Sequence, residues 1–206
     1  RVSSTRVRCS INVIARASCM ETRLDHRRSA CSNFINKVRS RPEVLPALRH
    51  LLMEHRFTKE LMVAACYHSP IVPQNREELL GYALWLGFEY EFGAAIHLLC
   101  PQVEHIVRSQ LKEAGAHTTN IDREGIENEN GLSTLMDLQE ALKLFGEDLT
   151  FEIKSVFTDA LGFNLRNEVA HGLLDDNTSA SIHTIYAWWM ILRLVIRSIV
   201  DGSPKK

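Results

Sequence analysis

Between Asn164 and Gly172 the chain reads Asn-Leu-Arg-Asn-Glu-Val-Ala-His-Gly, so a guanidinium, a carboxamide and an imidazole stand close together at Arg166, Asn167 and His171. The guanidinium is a permanent cation, and the imidazole exchanges protons near neutral pH. RNA cleavage through its own ribose needs such groups. The 2′-hydroxyl loses a proton as it attacks the neighbouring phosphate, the phosphorus centre gathers negative charge, and the departing 5′ oxygen takes up a proton. A histidine suits either proton transfer. An arginine fork suits the charged equatorial oxygens and gains strength in the transition state. This chemistry calls for no metal and no cofactor.

Spacing supports joint action only in part. On an α-helix Asn167 and His171 are one turn apart, so the amide can orient the ring; Arg166 and His171 are displaced by ~140°. Arg166 must reach around the helix or work with a histidine from a second chain, which makes a homodimeric site attractive. An isolated Arg and His at this spacing says little, because a histidine is also well placed at a helix C-terminus for purely structural reasons. The fuller pattern Arg-Asn-x-x-x-His-Gly should arise by chance in roughly one chain in five hundred of this length and composition.

The elements that must carry these residues are helical. From Pro42 onward apolar residues recur at steps of three and four, and no strand-like alternation persists. Ser69-Pro70-Ile71-Val72-Pro73 breaks the pattern. The sequence predicts a long helix over 76–99, a kink or restart at Pro101, a helix from Gln102 to Ala114, and a loop over 116–131 whose acids do not fit a calcium loop. Ser133 is a candidate cap for a helix ending at Gly146. A further helix is expected over 149–161, a short one from Leu165 to His171 closed by a left-handed Gly172, and a last one over 179–200. Glu104 and Arg108 have the spacing of an intrahelical ion pair, worth only ~0.3–0.5 kcal/mol if exposed. Facing the cleft that holds His171, they would instead contact substrate, Glu104 orienting the ring and Arg108 binding phosphate. Tyr186, Trp188, Trp189 and Met190 are consecutive or nearly so, cannot share one face, and are expected to be buried.

Charge divides the chain. Residues 1–41 hold ten Arg or Lys and two acids, a balance of +8, and the remainder carries −9. The net charge of −1 is no nucleic-acid signature in itself. Three segments follow: a basic extension over 1–41, accessory helices over 42–75, and the main helical domain over 76–201. The extension, which begins at Arg1 rather than Met, reads as a targeting segment, an RNA-contacting arm, the end of an upstream domain or a poorly packed tail. Five cysteines without a Cys-x-x-Cys pair suggest neither a disulfide framework nor a zinc site and fit a reducing, cytoplasmic setting. The apolar stretch over 182–200 is interrupted by Arg193 and Arg197 and reads as a buried helix rather than a membrane span.

The segment Asn164 to Gly172 resembles the helical HEPN superfamily, in particular the branch defined by Arg-Asn-x-x-x-His-Gly, which includes a protein associated with RNA degradation at the endoplasmic-reticulum membrane. The resemblance extends to Leu98-Leu99-Cys100-Pro101-Gln102-Val103-Glu104 with Arg108, to Asp122-Arg123-Glu124-Gly125-Ile126 and to Leu161-Gly162, and covers roughly residues 76–200. It implies an all-α bundle paired into a homodimer, with metal-independent endoribonuclease activity that leaves a 2′,3′-cyclic phosphate and a 5′-hydroxyl. Arg166 and His171 would be the catalytic pair and Asn167 their polar supporter. Some relatives are toxins or antiviral effectors, for which a protein regulator such as an antitoxin is expected, and others are inactive scaffolds or nucleotide binders. For this chain the competing expectation is a helical interaction module in which Arg166 and His171 tie the bundle together. Nucleotide binding without cleavage has no glycine-rich phosphate loop to support it.

Overall fold

The computed structural model describes residues 28–39 and 44–202. Helix accounts for 72% of the described residues, whose only strands form one short hairpin, so the fold is all-α. Helix α1 covers 28–39, α2 Val44–Glu54, α3 Lys59–His68, α4 Glu77–Phe88 and α5 Phe92–Glu113. The hairpin follows, β1 Thr119–Ile121 and β2 Glu127–Glu129, then α6 Leu132–Met136 and α7 Gln139–Ile153. A π-helical turn over Lys154–Thr158 leads to α8 Leu165–Ala170, α9 Asp176–Ser179 and α10 Ile182–Gly202.

Helix α5 is the axis of the bundle. Its buried residues Phe92, Ala95, Ile96, Leu99, Val103, Val107 and Leu111 return every three or four positions and so form one inward stripe. Helices α4, α6, α8 and α10 all pack against it. Trp188 of α10 is fully buried, meets Phe88 and Phe92 edge-on, and donates its indole N–H to the Leu84 carbonyl at 2.9 Å. That large ring fits because α4 carries Gly87 opposite it: a Cβ there would lie 2.1 Å from the indole. Trp188 and Met190 thus lie in the core as expected, whereas Trp189 and Tyr186 are only half-buried, Tyr186 donating its hydroxyl to Glu152 at 2.6 Å. Helix α10 with α9 is long and apolar enough to cross a membrane, and 44% of its most apolar window is buried within the protein.

Several boundaries differ from expectation. Pro101 does not restart a helix: α5 runs through it from Phe92 to Glu113. Pro101 and His97, whose carbonyl loses its partner to the proline ring, both lie on the exposed side, where water replaces the missing bond. The break comes earlier, at Glu89–Glu91, where Tyr90 takes a left-handed φ of 64° and the Glu91 amide returns to the Leu86 carbonyl at 2.9 Å. The segment 116–131 is not a plain loop, because residues 119–121 pair antiparallel with 127–129. An Asx arrangement at its tip, in which Asp122 accepts from the amides of Glu124 and Ile126, closes the turn. Gly131 rather than Ser133 is the N-cap of α6; Gly146, with a non-helical φ of 74° and ψ of 170°, divides α7 into two helical stretches that meet at a kink, in keeping with the stop predicted there.

Residues 28–39, part of the basic extension, are helical and pack onto the bundle. Cys31 and Val38 are buried, and Phe34 meets Phe151, Phe163 and Tyr186 with ring centroids 5.7–6.0 Å apart. The remainder of the extension, 1–27 with 40 and 41, lies outside the described residues.

Substituting Gly87→Ala should lower stability by about 1–3 kcal/mol, the typical cost of forcing extra volume into a packed core. Denaturant unfolding monitored by tryptophan fluorescence measures it, and an unchanged midpoint would contradict the tight α4–α10 contact.

Candidate functional site: a carboxylate between two guanidinium groups

The turn that launches α8 is built by close backbone approach. In the π-helical turn the Ser155 carbonyl is left to accept the Phe163 amide at 2.8 Å, and Gly162 passes so near that a Cβ would lie 2.0 Å from that oxygen. Asn164 then adopts a left-handed φ of 51° and becomes the N-cap of α8. Buried Leu165 and half-buried Val169, four residues apart, hold the helix against the core. At its other end the His171 residue is the C-cap and Gly172 turns left-handed with a φ of 65°. The Leu173 amide reaches the Glu168 carbonyl at 2.8 Å and the Gly172 amide the Val169 carbonyl at 3.2 Å, a Schellman closure.

This helix directs Arg166 toward α5. The Arg166 Nε donates to Glu104 Oε2 at 3.1 Å, and its Nη1 donates to Asn167 Oδ1 at 3.3 Å. Glu104 Oε1 accepts from Arg108 Nη2 at 2.8 Å, so one carboxylate is shared by two guanidinium groups. Arg108 continues outward: its Nη2 also donates to the Asn130 carbonyl at 2.8 Å, and its Nε stands 3.1 Å from Glu129 Oε2. The angle there makes an ion pair rather than a hydrogen bond, and that buried Nε–H has no hydrogen-bond partner among the described residues. Lys112 completes the chain on Glu129 Oε1 at 2.5 Å. Side-chain exposure is 17% for Glu104, 14% for Arg108 and 35% for Arg166, so solvent reaches Arg166 more readily than the other two.

Burial by itself would raise the Glu104 carboxyl, but the Arg108 hydrogen bond, the Arg166 charge and the Leu132 amide together hold it below its ordinary value. Glu129 is also held low, chiefly by Lys112. His105, next to Glu104 on α5, is lowered by burial and then by Arg76, Arg108 and Lys112. Cys100, one turn before Glu104, is driven by burial up to about 12 despite the opposing Arg166 charge, which leaves it a thiol with no nucleophilic part to play.

The arrangement unites some of the expected residues and separates others. Arg166, Asn167, Glu104 and Arg108 form one connected cluster. Asn167 does not orient His171: its Nδ2 donates to Asn164 Oδ1 at 2.8 Å while its Oδ1 serves Arg166, so both ends of the amide are engaged. The His171 ring is exposed, and no hydrogen bond, ion pair or ring contact joins that ring to Arg166 or to another described residue. The intrahelical pair Glu104–Arg108 exists as its spacing predicts, yet it is part of a larger network reaching α8 and the hairpin. Asn164, Glu129 and Asn130 were not among the expected site residues. The left-handed tolerance of asparagine just before a helix was a usable signal for Asn164; the other two depend on a hairpin whose sequence carries no apolar alternation. Among the described residues no group of three or more His, Cys, Asp or Glu is placed to hold a metal.

Comparison of the chain with protein-family models, with curated proteins and with solved structures finds no match.

A carboxylate whose folded value lies below its unfolded one stabilises in its charged form. The contribution of Glu104 is therefore complete above its ordinary 4.5 and disappears as acid protonates it in the folded state. Glu104→Gln should cost about 1.5–3 kcal/mol near neutral pH, the range for hydrogen bonds to charged groups. The gap between wild type and variant should close as pH falls below 4.5, as read from urea unfolding midpoints across a pH series.

Proposed function

We propose that this protein is a metal-independent endoribonuclease of HEPN type that cleaves RNA by attack of the 2′-hydroxyl, giving a 2′,3′-cyclic phosphate and a 5′-hydroxyl. The observation that carries the reading is that one six-residue helix and its cap offer an accessible arginine, fixed by two partners, together with an exposed histidine. With Nε on Glu104 and Nη1 on Asn167, the Arg166 fork is oriented before substrate arrives, and its Nη2 makes no hydrogen bond among the described residues. A donor fixed in advance loses little in reorganisation when negative charge develops on the phosphorane. His171 exchanges the proton of the 2′-hydroxyl or of the departing 5′ oxygen.

Because the Arg166 guanidinium turns toward α5 while His171 lies exposed at the end of α8, the two groups that act on one phosphate come from two copies of the chain. The working form is thus a homodimer with RNA as its substrate. A cytoplasmic toxin or antiviral effector held in check by a protein regulator fits such an activity. Glu104 and Arg108 act as supports of Arg166 rather than as direct substrate ligands, since both are more buried than it is.

A specific observation favours a second reading. The Arg166–Glu104 ion pair joins α8 to α5, so Arg166 has structural work available in a helical interaction module without catalysis. The two readings separate in one experiment. Labelled RNA incubated in EDTA should be cut by wild type, and His171→Ala should lower the rate by about 10²–10⁴-fold without changing the melting temperature. Phosphatase-resistant 3′ ends that become sensitive after acid treatment identify the cyclic phosphate. Equal cleavage by both proteins, or by neither, defeats the nuclease reading; a loss of stability in Arg166→Ala with RNA untouched supports the module.

A further inference from the structure

The β1–β2 hairpin lies at the far end of the charge chain that begins at Arg166. Glu104 presents two oxygens to two guanidinium groups: Oε2 to Arg166 at 3.1 Å and Oε1 to Arg108 at 2.8 Å. Arg108 approaches it with Nη2 alone, and its Nε is turned to the hairpin. The Nε faces Glu129 Oε2, and Nη2 is shared with the Asn130 carbonyl. Glu129 is itself held by Lys112. A guanidinium free of such ties closes on a carboxylate with two parallel N–H groups, the stronger arrangement. Were the hairpin to lift, Arg108 would take both Glu104 oxygens, and Arg166 would lose the anchor on its Nε.

We propose that the β1–β2 hairpin is a positioning element for Arg166: by occupying Arg108 through Glu129 and Asn130, it reserves one Glu104 oxygen for the Arg166 guanidinium. Two features show that the hairpin makes this contact without being welded to it. The buried Arg108 Nε–H stands near Glu129 without a proper hydrogen bond, so the docked position leaves one donor unsatisfied. The hairpin also has little else holding it: Ile121 and Ile126, its apolar residues, are 73% and 59% exposed rather than packed on the bundle. Its attachment is mainly electrostatic, through Glu129 to Arg108 and Lys112 and through the Asn130 carbonyl to Arg108, while the Asn130 amide on the Thr118 carbonyl at 2.9 Å closes the base of the hairpin itself. Glu129 is a positioning residue in this scheme, acting on Arg166 through two intermediaries.

The positional claim stands apart from the nuclease reading, and only its kinetic consequence rests on it. Arginine Nε–H signals in a ¹H–¹⁵N spectrum of the full chain report each guanidinium's surroundings; the Arg166 signal is the one lost in Arg166→Lys. Glu129→Lys places a third cation beside Arg108 and Lys112 and should displace the hairpin. The Arg166 signal should then move to the position it has in Glu104→Gln, or broaden through exchange with water. Glu129→Gln should move it part of the way, and Lys143→Ala, an exposed cation elsewhere, should not move it. An Arg166 signal that stays at its wild-type position in Glu129→Lys, while Glu104→Gln shifts it, overturns the proposal. If circular dichroism shows Glu129→Lys unfolded, Glu129→Gln decides by the same comparison. Where wild type cleaves RNA, Glu129→Lys should lower kcat by about tenfold with little change in KM, in keeping with a slightly misplaced catalytic group. Absence of cleavage by wild type would defeat the nuclease reading and leave the spectral comparison to decide the role of the hairpin.

Discussion

A carboxylate withdrawn from water between two arginines is the constraint on which the rest of this site depends. Glu104 sits on the central helix, largely buried, and its charge is tolerated there only because Arg108 and Arg166 both face it. Taking either cation away would leave uncompensated charge at the junction of α5, α6 and α8. The same requirement works in the other direction, since the partially buried guanidinium groups need the acid. The cluster therefore sets the distance between the axis of the bundle and the short helix more sharply than apolar packing would, because charged hydrogen bonds are directional and side chains such as Leu165 and Val169 are not.

Much of this was legible in the sequence where a residue type has one physical use. The helical class followed from apolar periodicity. The left-handed closure of α8 followed from glycine at Gly172. Burial of Trp188 followed from its place in an apolar helix. The Glu104–Arg108 pair followed from a four-residue step. Legibility failed where tertiary packing overrides a local rule. Pro101 is tolerated in α5 because its side of the helix faces water, while α4 ends at Phe88 and the left-handed turn that follows falls on Tyr90, a residue type that does not announce it. The strands β1 and β2 escaped notice because they are three residues long, polar and exposed, so the pairing of their backbones leaves no trace in hydrophobic pattern.

Within the site, the sequence identified Arg166, Asn167 and His171 as neighbours in the chain but could not say which way each side chain turns. The Asn167 amide is a case in point. Helical spacing allows it to reach His171, yet the left-handed Asn164 offers a nearer acceptor, and the Arg166 fork claims the remaining oxygen. Similarly, an Arg at the first turn of a short helix has no preferred target until a buried acid lies across from it, and Glu104 is sixty-two positions away in the chain. Long-range pairing of this sort is invisible to any rule based on local spacing.

Six residues are too few to form a helix alone in water, because the cost of nucleation is recovered only over several further turns. Helix α8 therefore owes its existence to what surrounds it: the carbonyl of Ser155 at one end, the Schellman closure at the other, and the acid on α5 between them. An element supported in this way can open without the bundle unfolding, at a free energy lower than that of the whole domain. The amides of α8 are accordingly set to exchange with solvent ahead of those in α5, and the arrangement of Arg166 and His171 is the occupied fraction of a local equilibrium rather than a rigid property of the fold.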